Sequence, residues 1–312
     1  MALVANYNGG DLLIDSVSSL LNQSLEIDKI VVVDDGSTDG SADLLEKSVK
    51  DHRLEIIRHL ENRGRAACMN EQFAQQDADF FILQDADDIA FSERVEKQVE
   101  FMLKNSKLGC SSSFITYFGS KKTKESATVG KLDILTESDY KNYMEGDDPF
   151  GLFCPAVILR KEVVADEKLR FRGAFWPADD MDLWNRIAEA GWLVLAQPEV
   201  LVRYRIHTGS VTTTGFSGSR IKYEWLRSCL RLRRRGESEL SEEEFRQIWD
   251  RAPFIRKLNR SRKTLAKASY RAAGYAFIDG RMFQAFKNLA IAAMMQPSYT
   301  IPRILDQQRF FR

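Results

Sequence analysis

Hydrophobic positions in the first half of the chain alternate between two periods. Leu3-Val4-Ala5 reads as a short strand, and Lys29-Ile30-Val31-Val32-Val33 is a continuous β-branched run of the kind buried on both faces of a sheet. Between them, Leu12, Leu13, Val17, Leu20 and Leu21 recur at helical spacing over Asp11 to Asn22. Helix resumes from Ala42 to Val49, Leu54 to Arg58 is a third strand, Gly64 to Gln75 a helix, and Phe80 to Leu83 a fourth strand. Strands and helices in alternation predict βαβ units with right-handed crossovers: an α/β fold with a mostly parallel sheet flanked by helices.

The pattern then becomes mixed. Glu93 to Asn105 reads as a helix, Ser111 to Phe118 and Ala156 to Leu159 as strands, and Lys121 to Gly130 as a polar loop. Asp180 to Ala190 is an amphipathic helix closed by Gly191, and Val194-Leu195 and Val200 to Tyr204 are further strands. The rest is helical, ending in two helices, Thr264 to Ile278 and Arg281 to Met294, with Pro297 stopping the second. The organisation expected is one domain over 1–215 and a basic helical C-terminal region over 216–312.

Charge sharpens that division. The formal net charge is zero, yet residues 220–312 hold 21 Lys+Arg against 9 Asp+Glu, leaving 24 against 36 for the remainder. An acidic body with a basic appendage points to an anionic partner for the appendage. Cys68, Cys110, Cys154 and Cys229 are scattered without a CxxC pair, which argues against a zinc site or disulfide framework and for a reducing cytosol. No signal peptide is read at Met1, and no apolar stretch nears the roughly 18–20 residues that span a bilayer. The expected location is cytoplasmic, with peripheral contact at the inner face of the membrane through the basic region.

Several clusters carry candidate chemistry. Gln84-Asp85-Ala86-Asp87-Asp88 comes directly after the fourth strand, and open α/β sheets bind ligands at the carboxyl ends of their strands. Carboxylates there suit Mg²⁺ or Mn²⁺ holding a diphosphate; the alternative is a solvated loop in which Asp88 or Ser92 caps the next helix. Asp34-Asp35-Gly36-Ser37 succeeds the second strand, where a carboxylate can accept the N3–H of a uracil-like base, or Ser37 or Asp39 merely caps a helix. Asn62-Arg63-Gly64-Arg65 opens a helix, a position that favours anions. Asp179-Asp180-Met181-Asp182-Leu183-Trp184, beside Trp176-Pro177, puts three acids at a helix start, more than capping requires. It reads as a pocket wall in which a carboxylate serves as general base and aromatic faces stack on sugar. Finally, Arg203, Arg205 and His207 alternate along a strand, so they share a face from which two arginines meet a diphosphate and His207 meets metal or phosphate.

Taken in order, Asn6-Tyr7-Asn8, Val33-Asp34-Asp35-Gly36-Ser37-Thr38-Asp39, Asn62-Arg63-Gly64, Asp85-Ala86-Asp87-Asp88, Asp179-Asp180-Met181-Asp182-Leu183-Trp184 and Tyr204-Arg205-Ile206-His207 resemble the motif series of family 2 glycosyltransferases of the GT-A (Rossmann-like) fold. The resemblance covers about residues 1–215. It implies an inverting transferase that uses a nucleotide-diphospho-sugar donor, a UDP-sugar favoured, with Mn²⁺ or Mg²⁺ as cofactor. Asn6, Asn8, Asp34, Asp35, Asn62, Arg65, Asp85, Arg203 and Arg205 are the implied donor contacts, and Asp87, Asp85 and His207 the metal ligands. Asp180 or Asp179 is the base, with Asp180 favoured, and Trp176, Asp182 and Trp184 face sugar or acceptor. The family's usual Glu-Asp base motif is Asp-Asp here, and the Q-x-x-R-W signature of processive synthases is absent, which favours transfer of a single sugar.

The acceptor expected is a glycan or lipid-linked molecule of surface polysaccharide or glycolipid synthesis. Two other classes fit parts of the pattern: a sugar nucleotidyltransferase and a non-catalytic nucleotide-sugar-binding module. The first lacks a basic residue in Asn6-Tyr7-Asn8-Gly9-Gly10, and the second leaves the candidate base and metal ligands without a purpose. The arginines 231–235 lack an accompanying nucleic-acid recognition motif, so no nucleic-acid partner is expected. In the tail, Tyr270, Gly274, Phe277, Met282, Phe286, Leu289 and Ala293 fall at helical intervals that suit either a packed hairpin or a surface against anionic lipid.

Overall fold

The computed structural model describes residues 1–119, 125–206, 216–278 and 280–310. The chain forms two compact units: Met1–Tyr117 with Ala127–Arg205, and Phe118–Ser126 with Ile206–Arg312.

The first unit is built on a sheet that is parallel in one half and antiparallel in the other. β1 (Ala2–Asn6), β2 (Ile30–Asp34), β3 (Leu54–Arg58) and β4 (Phe80–Asp85) lie parallel in the order β3-β2-β1-β4. Helices α1 (Leu12–Leu21), α2 (Ser41–Ser48) and α3 (Arg65–Gln75) make the crossovers. The sheet continues from β4 as β8-β6-β9-β5. These strands are β5 (Ile89–Ala90), β6 (Leu108–Gly119), β8 (Val157–Arg160) and β9 (Leu193–Ile206), with β7 (Glu125–Gly130) paired to β6. Helices α4 (Arg94–Lys104), α5 (Glu137–Glu145), α6 (Lys161–Ala165) and α7 (Asp179–Glu189) complete the unit.

The β-branched run behaves as its composition requires. Ile30, Val31, Val32 and Val33 have no exposed surface and join one core with Leu3, Val4, Phe81 and Ile82. Each such side chain contributes about 1.5–3 kcal/mol relative to exposure. That core fixes the register at the sheet's carboxyl edge: Asn6 lies opposite Asp34, and Ala5 opposite Asp85. The candidate acids of β2 and β4 therefore flank the end of β1.

Three local readings differ from expectation. The two short strands expected after α7 are one strand, β9, which runs through an exposed Pro198, a residue that normally demotes a strand. Within the polar stretch 121–130, Glu125–Gly130 is a strand rather than a loop. Pro297 does not only stop a helix but opens another, Pro297–Phe310, because a proline in the first turn gives up an N–H that has no helical partner anyway.

The second unit is helical: Phe216–Arg234, Glu242–Asp250, Phe254–Ile278, Met282–Met295 and Pro297–Phe310. The arginine run 231–235 sits at the carboxyl end of the first of these, where the helix dipole favours cations. Part of its charge is met locally, since Arg233 bonds Glu239 at 2.5 Å. Ser241 and Glu244 form a capping box on the next helix. Among the described residues, no helix is long and apolar enough to cross a membrane.

Candidate active site

Three parallel strands deliver polar residues to one edge. Asn6 is buried, and its Nδ2 donates to Asp34 Oδ1 at 2.8 Å, Ser41 Oγ at 2.9 Å and Ser37 Oγ at 3.1 Å. Asn8, with φ of 55°, accepts from the Thr38 N–H at 2.8 Å and gives its own N–H to Ser37 Oγ at 2.9 Å. The loops after β1 and β2 are thus laced together. Gly36 has φ of 73°, and a Cβ there would sit 2.7 Å from the Glu61 carbonyl carbon. Glycine is required both for the turn and for the close approach of the exposed Glu61-Asn62 segment.

Asp35 is surrounded by donors. Its carboxylate accepts from the Arg63 N–H at 2.9 Å and the Gly64 N–H at 2.7 Å, and His59 Nδ1 lies 3.1 Å away. Burial pushes its pKa up, but these hydrogen bonds outweigh burial and hold it below the ordinary carboxylate value. His59 and Cys68 complete a buried cluster around it, with ligand atoms within 4.8 Å of one another.

The end of β4 is the opposite case. Asp85, Asp87 and Asp88 bring carboxylate oxygens within 4.8 Å of one another. Burial, opposed by Arg65 and reinforced by Asp87 and Asp179, pushes Asp85 up to about 6. Asp88 is raised as well, by burial and by its two acidic neighbours. It does not cap α4, whose N-cap is Glu93; it accepts the Arg205 N–H at 2.7 Å and so ties the loop to β9. Crowded oxygens that resist ionisation are a donor set fitted to a hard divalent cation, whose charge would relieve their repulsion.

Arg65, at the start of α3, joins this cluster to α7. Its guanidinium donates to Asp179 Oδ1 at 3.2 Å and to Cys154 Sγ at 3.0 Å, and its centre lies 5.3 Å from the Trp176 ring and 5.6 Å from the Phe171 ring. Burial works against its charge, but the carboxyls of Asp179, Asp180 and Asp85 outweigh burial and hold it firmly protonated, while Cys154, whose own thiol burial keeps neutral, adds only a hydrogen-bond acceptor. Asp179 is fully buried on that arginine. Asp180 keeps some exposure and accepts the Met181 N–H at 2.7 Å. Burial, relieved by Arg65 and aggravated by Asp179, pushes Asp180 up to about 6. A carboxyl so tuned can take a proton from an alcohol near neutral pH.

Two members of the predicted pocket wall lie elsewhere. Asp182 is fully buried, taking Arg172 Nε at 2.8 Å and Arg186 Nε at 2.9 Å, so it anchors α7 rather than meeting an acceptor. Trp184 has no exposed surface and packs edge-on against Phe171, 5.9 Å between centroids; a ring inside the core cannot stack on a sugar. Trp176 remains exposed at the edge of the site.

Arg203 lies over the Phe91 ring at 4.8 Å, and Arg205 is buried with Nε donating to the Asp87 carbonyl at 2.7 Å. Arg205 thus reaches the loop between β4 and β5, and Arg203 the residue just after β5. His207 lies outside the described residues. Cys154, Phe171 and His59 belong to none of the sequence motifs; each acts through Arg65 or Asp35, and only the nearness of His59 to the end of β3 hints at its place.

Residues 2–165 match glycosyl transferase family 2, just over half of the chain. An uncharacterized glycosyltransferase of Haemophilus influenzae is 30% identical over 227 residues, 69% of this chain and 67% of that one. A putative teichuronic acid biosynthesis glycosyltransferase of Bacillus subtilis, TuaG, is 27% identical over 227 residues, 70% of this chain and 83% of that one. The fold resembles that of S. aureus TarS 1-349 in complex with UDP, with a TM-score of 0.56 and 14% identity over 96% of this chain and 90% of that one. The fold is GT-A, and the enzyme class is glycosyltransferase. The chain belongs to glycosyl transferase family 2.

Proposed function

We propose that this glycosyltransferase moves a single sugar, with inversion, from a nucleotide-diphospho-sugar to a hydroxyl of a glycan or lipid-linked acceptor in bacterial surface-glycan synthesis. One observation carries the reading: Arg65 of α3 is hydrogen-bonded to Asp179 at the head of α7, next to Asp180, and its charge acts on both Asp180 and Asp85 at the end of β4, each pushed up to about 6. That juxtaposes a place for the diphosphate with a base. A UDP-sugar is the favoured donor, supported by the UDP complex of the similar TarS fold; the likeness to TuaG supports the surface-glycan setting.

Residues 1–215 bind the donor and carry the reaction in this reading. Asp35, kept ionised by its donors, and Asp34 accept N–H groups of the base, while Asn6, Asn8 and Asn62 shape that end. Asp85 and Asp87 would hold Mn²⁺ or Mg²⁺, with Asp85 also toward the ribose and His207 a third contact. Bound there, the cation supplies Lewis-acid neutralisation of the diphosphate. Arg65, Arg203 and Arg205 add positive charge on the leaving-group side. Asp180 takes the acceptor's hydroxyl proton as its oxygen bonds to the anomeric carbon, from the face opposite the departing diphosphate. Asp179, held by Arg65, positions the start of α7. Trp176 is the aromatic surface for the sugar or acceptor. The enzyme works in the cytoplasm, with its basic region, residues 216–312, at the inner membrane face.

Hydrolysis of a nucleotide-sugar panel with Mn²⁺, Mg²⁺ or EDTA tests this. Metal-dependent turnover of one donor is expected. Equal turnover in EDTA would remove the cation, and formation of nucleotide-sugar from a nucleoside triphosphate and a sugar phosphate would mark a nucleotidyltransferase instead.

A further inference from the structure

The helix Met282–Met295 wears an apolar stripe on its outer side. Met282, Phe286, Ala290 and Met294 come at four-residue steps, which puts them on one face, and all are exposed. Phe283 beside them is 83% exposed, Phe286 65% and Met294 66%. The helix's other side is already used: Ala285 and Ala292 are buried, as are Ala266, Ala273 and Ala276 of the helix Phe254–Ile278, against which it packs. Arg262 of that longer helix donates to the Met295 carbonyl at 3.3 Å. The longer helix adds Phe254, Leu258 and Leu265, exposed and spaced to share a face, with Phe254 at 77%. Single exposed apolar residues need no explanation, but repeated large ones along a helix face mark a surface with an occupant.

Charge identifies the occupant. Residues 254–305 contain ten Lys+Arg and one acid, Asp279. The helix Phe254–Ile278 alone carries Arg256, Lys257, Arg260, Arg262, Lys263, Lys267 and Arg271, and no acid. A second copy would bring the same positive charge to the contact and be repelled. A nucleic-acid backbone would satisfy the cations and leave the phenylalanine stripe in water. A bilayer with anionic headgroups satisfies both.

We infer that the helix pair Phe254–Ile278 and Met282–Met295 is an interfacial docking element for an anionic lipid surface. Phenylalanine and methionine side chains enter the acyl boundary, and the cations lie among the headgroups. This deepens the proposed function by naming the surface that brings the enzyme to its acceptor, and it stands even if the donor assignment fails.

Co-sedimentation of the full chain with phosphatidylcholine vesicles, with and without phosphatidylglycerol, tests it. The expected result is binding only to the mixed vesicles, falling as salt rises. Phe283→Ser with Phe286→Ser should weaken binding by roughly 10- to 100-fold. Lys257→Gln with Lys263→Gln, both at exposed positions, should weaken it by about tenfold. Circular dichroism and metal-dependent donor hydrolysis in solution should be unchanged in both variants, which separates this test from that of the donor. Absence of binding at low salt would overturn the inference, as would lysine variants that bind like wild type. So would light scattering in which the phenylalanine variant dissociates a wild-type dimer that never binds vesicles, making a second copy the occupant.

Discussion

Asp34-Asp35 and Asp85 to Asp88 end strands of the same parallel half-sheet, on either side of β1, yet their surroundings divide them. Asp35 faces N–H groups of Arg63 and Gly64 and is held below the ordinary carboxylate value. Asp85 faces burial and other acids and is pushed up to about 6. In the first cluster hydrogen bonds to the carboxylate outweigh burial; in the second, burial and neighbouring acids outweigh the nearby arginines. A carboxylate cluster therefore reads as a recognition site or a cation site according to what the fold sets around it, not by its composition.

The largest effect expected to sharpen this contrast is that of the candidate base on α7. Asp180→Asn should reduce transfer about 10²–10⁴-fold, the span of general-base catalysis, with UDP affinity by calorimetry little changed. Next, Asp87→Ala should weaken Mn²⁺ binding in a calorimetric titration by more than about 10²-fold, since loss of even an outer-shell partner costs up to that much, and turnover at fixed Mn²⁺ should fall with it. Asp34→Ala should instead leave Mn²⁺ affinity intact and raise the donor KM by roughly tenfold, as a lost hydrogen bond to an ionised group does. Equal effects of the last two on metal and donor would erase the distinction.

Acidity separates the clusters more gently. The base must be ionised, so kcat/KM should fall as pH drops through about 6, the value to which Asp180 is pushed. Stability moves the other way. Asp85 and Asp180 have folded pKa values above their unfolded ones, so the folded state binds more protons between about pH 4 and 6 and stability falls as pH rises through that window. Added Mn²⁺ should therefore raise Tm more at pH 7 than at pH 5, measured by differential scanning fluorimetry. The smallest expected effect on chemistry is that of Asp182→Ala. Loss of a buried carboxylate that holds Arg172 and Arg186 should cost about 3 kcal/mol of stability in urea melts, with the metal affinity of the folded fraction preserved.

Much of the strand-end chemistry is legible in the sequence because a buried β-branched run has to stop at an edge, and the residues just beyond it are delivered there. Asp34, Asp35, Asp85 and Asp87 are readable in that way. The environment of Arg65 is not, since Cys154, Phe171 and Trp176 come from segments far away in sequence, joined only by packing. Asp182 and Trp184 mislead for a different reason. Proximity in sequence to Asp180 suggests a shared wall, but Asp182, two residues on, is turned to the far side of the helix, and Trp184, a full turn on, sends its ring into the core against Phe171. Arg186, four residues after Asp182, is the available sign that this acid has a partner on its own helix. In the tail, helical spacing alone leaves packing and exposure undecided; Ala266, Ala273, Ala276, Ala285 and Ala292 prove to be on the packed side and Phe277, Phe283 and Phe286 on the open one.

The central claim is that a cation site at Asp85 and Asp87 and a base at Asp180 act on one donor. Turnover of a UDP-sugar panel by wild type and Asp180→Asn, each with Mn²⁺ and with EDTA, addresses it most directly. The account predicts one donor consumed by wild type with Mn²⁺ alone, with the variant inactive yet still binding UDP. Turnover that survives EDTA, or that survives in Asp180→Asn, would contradict it.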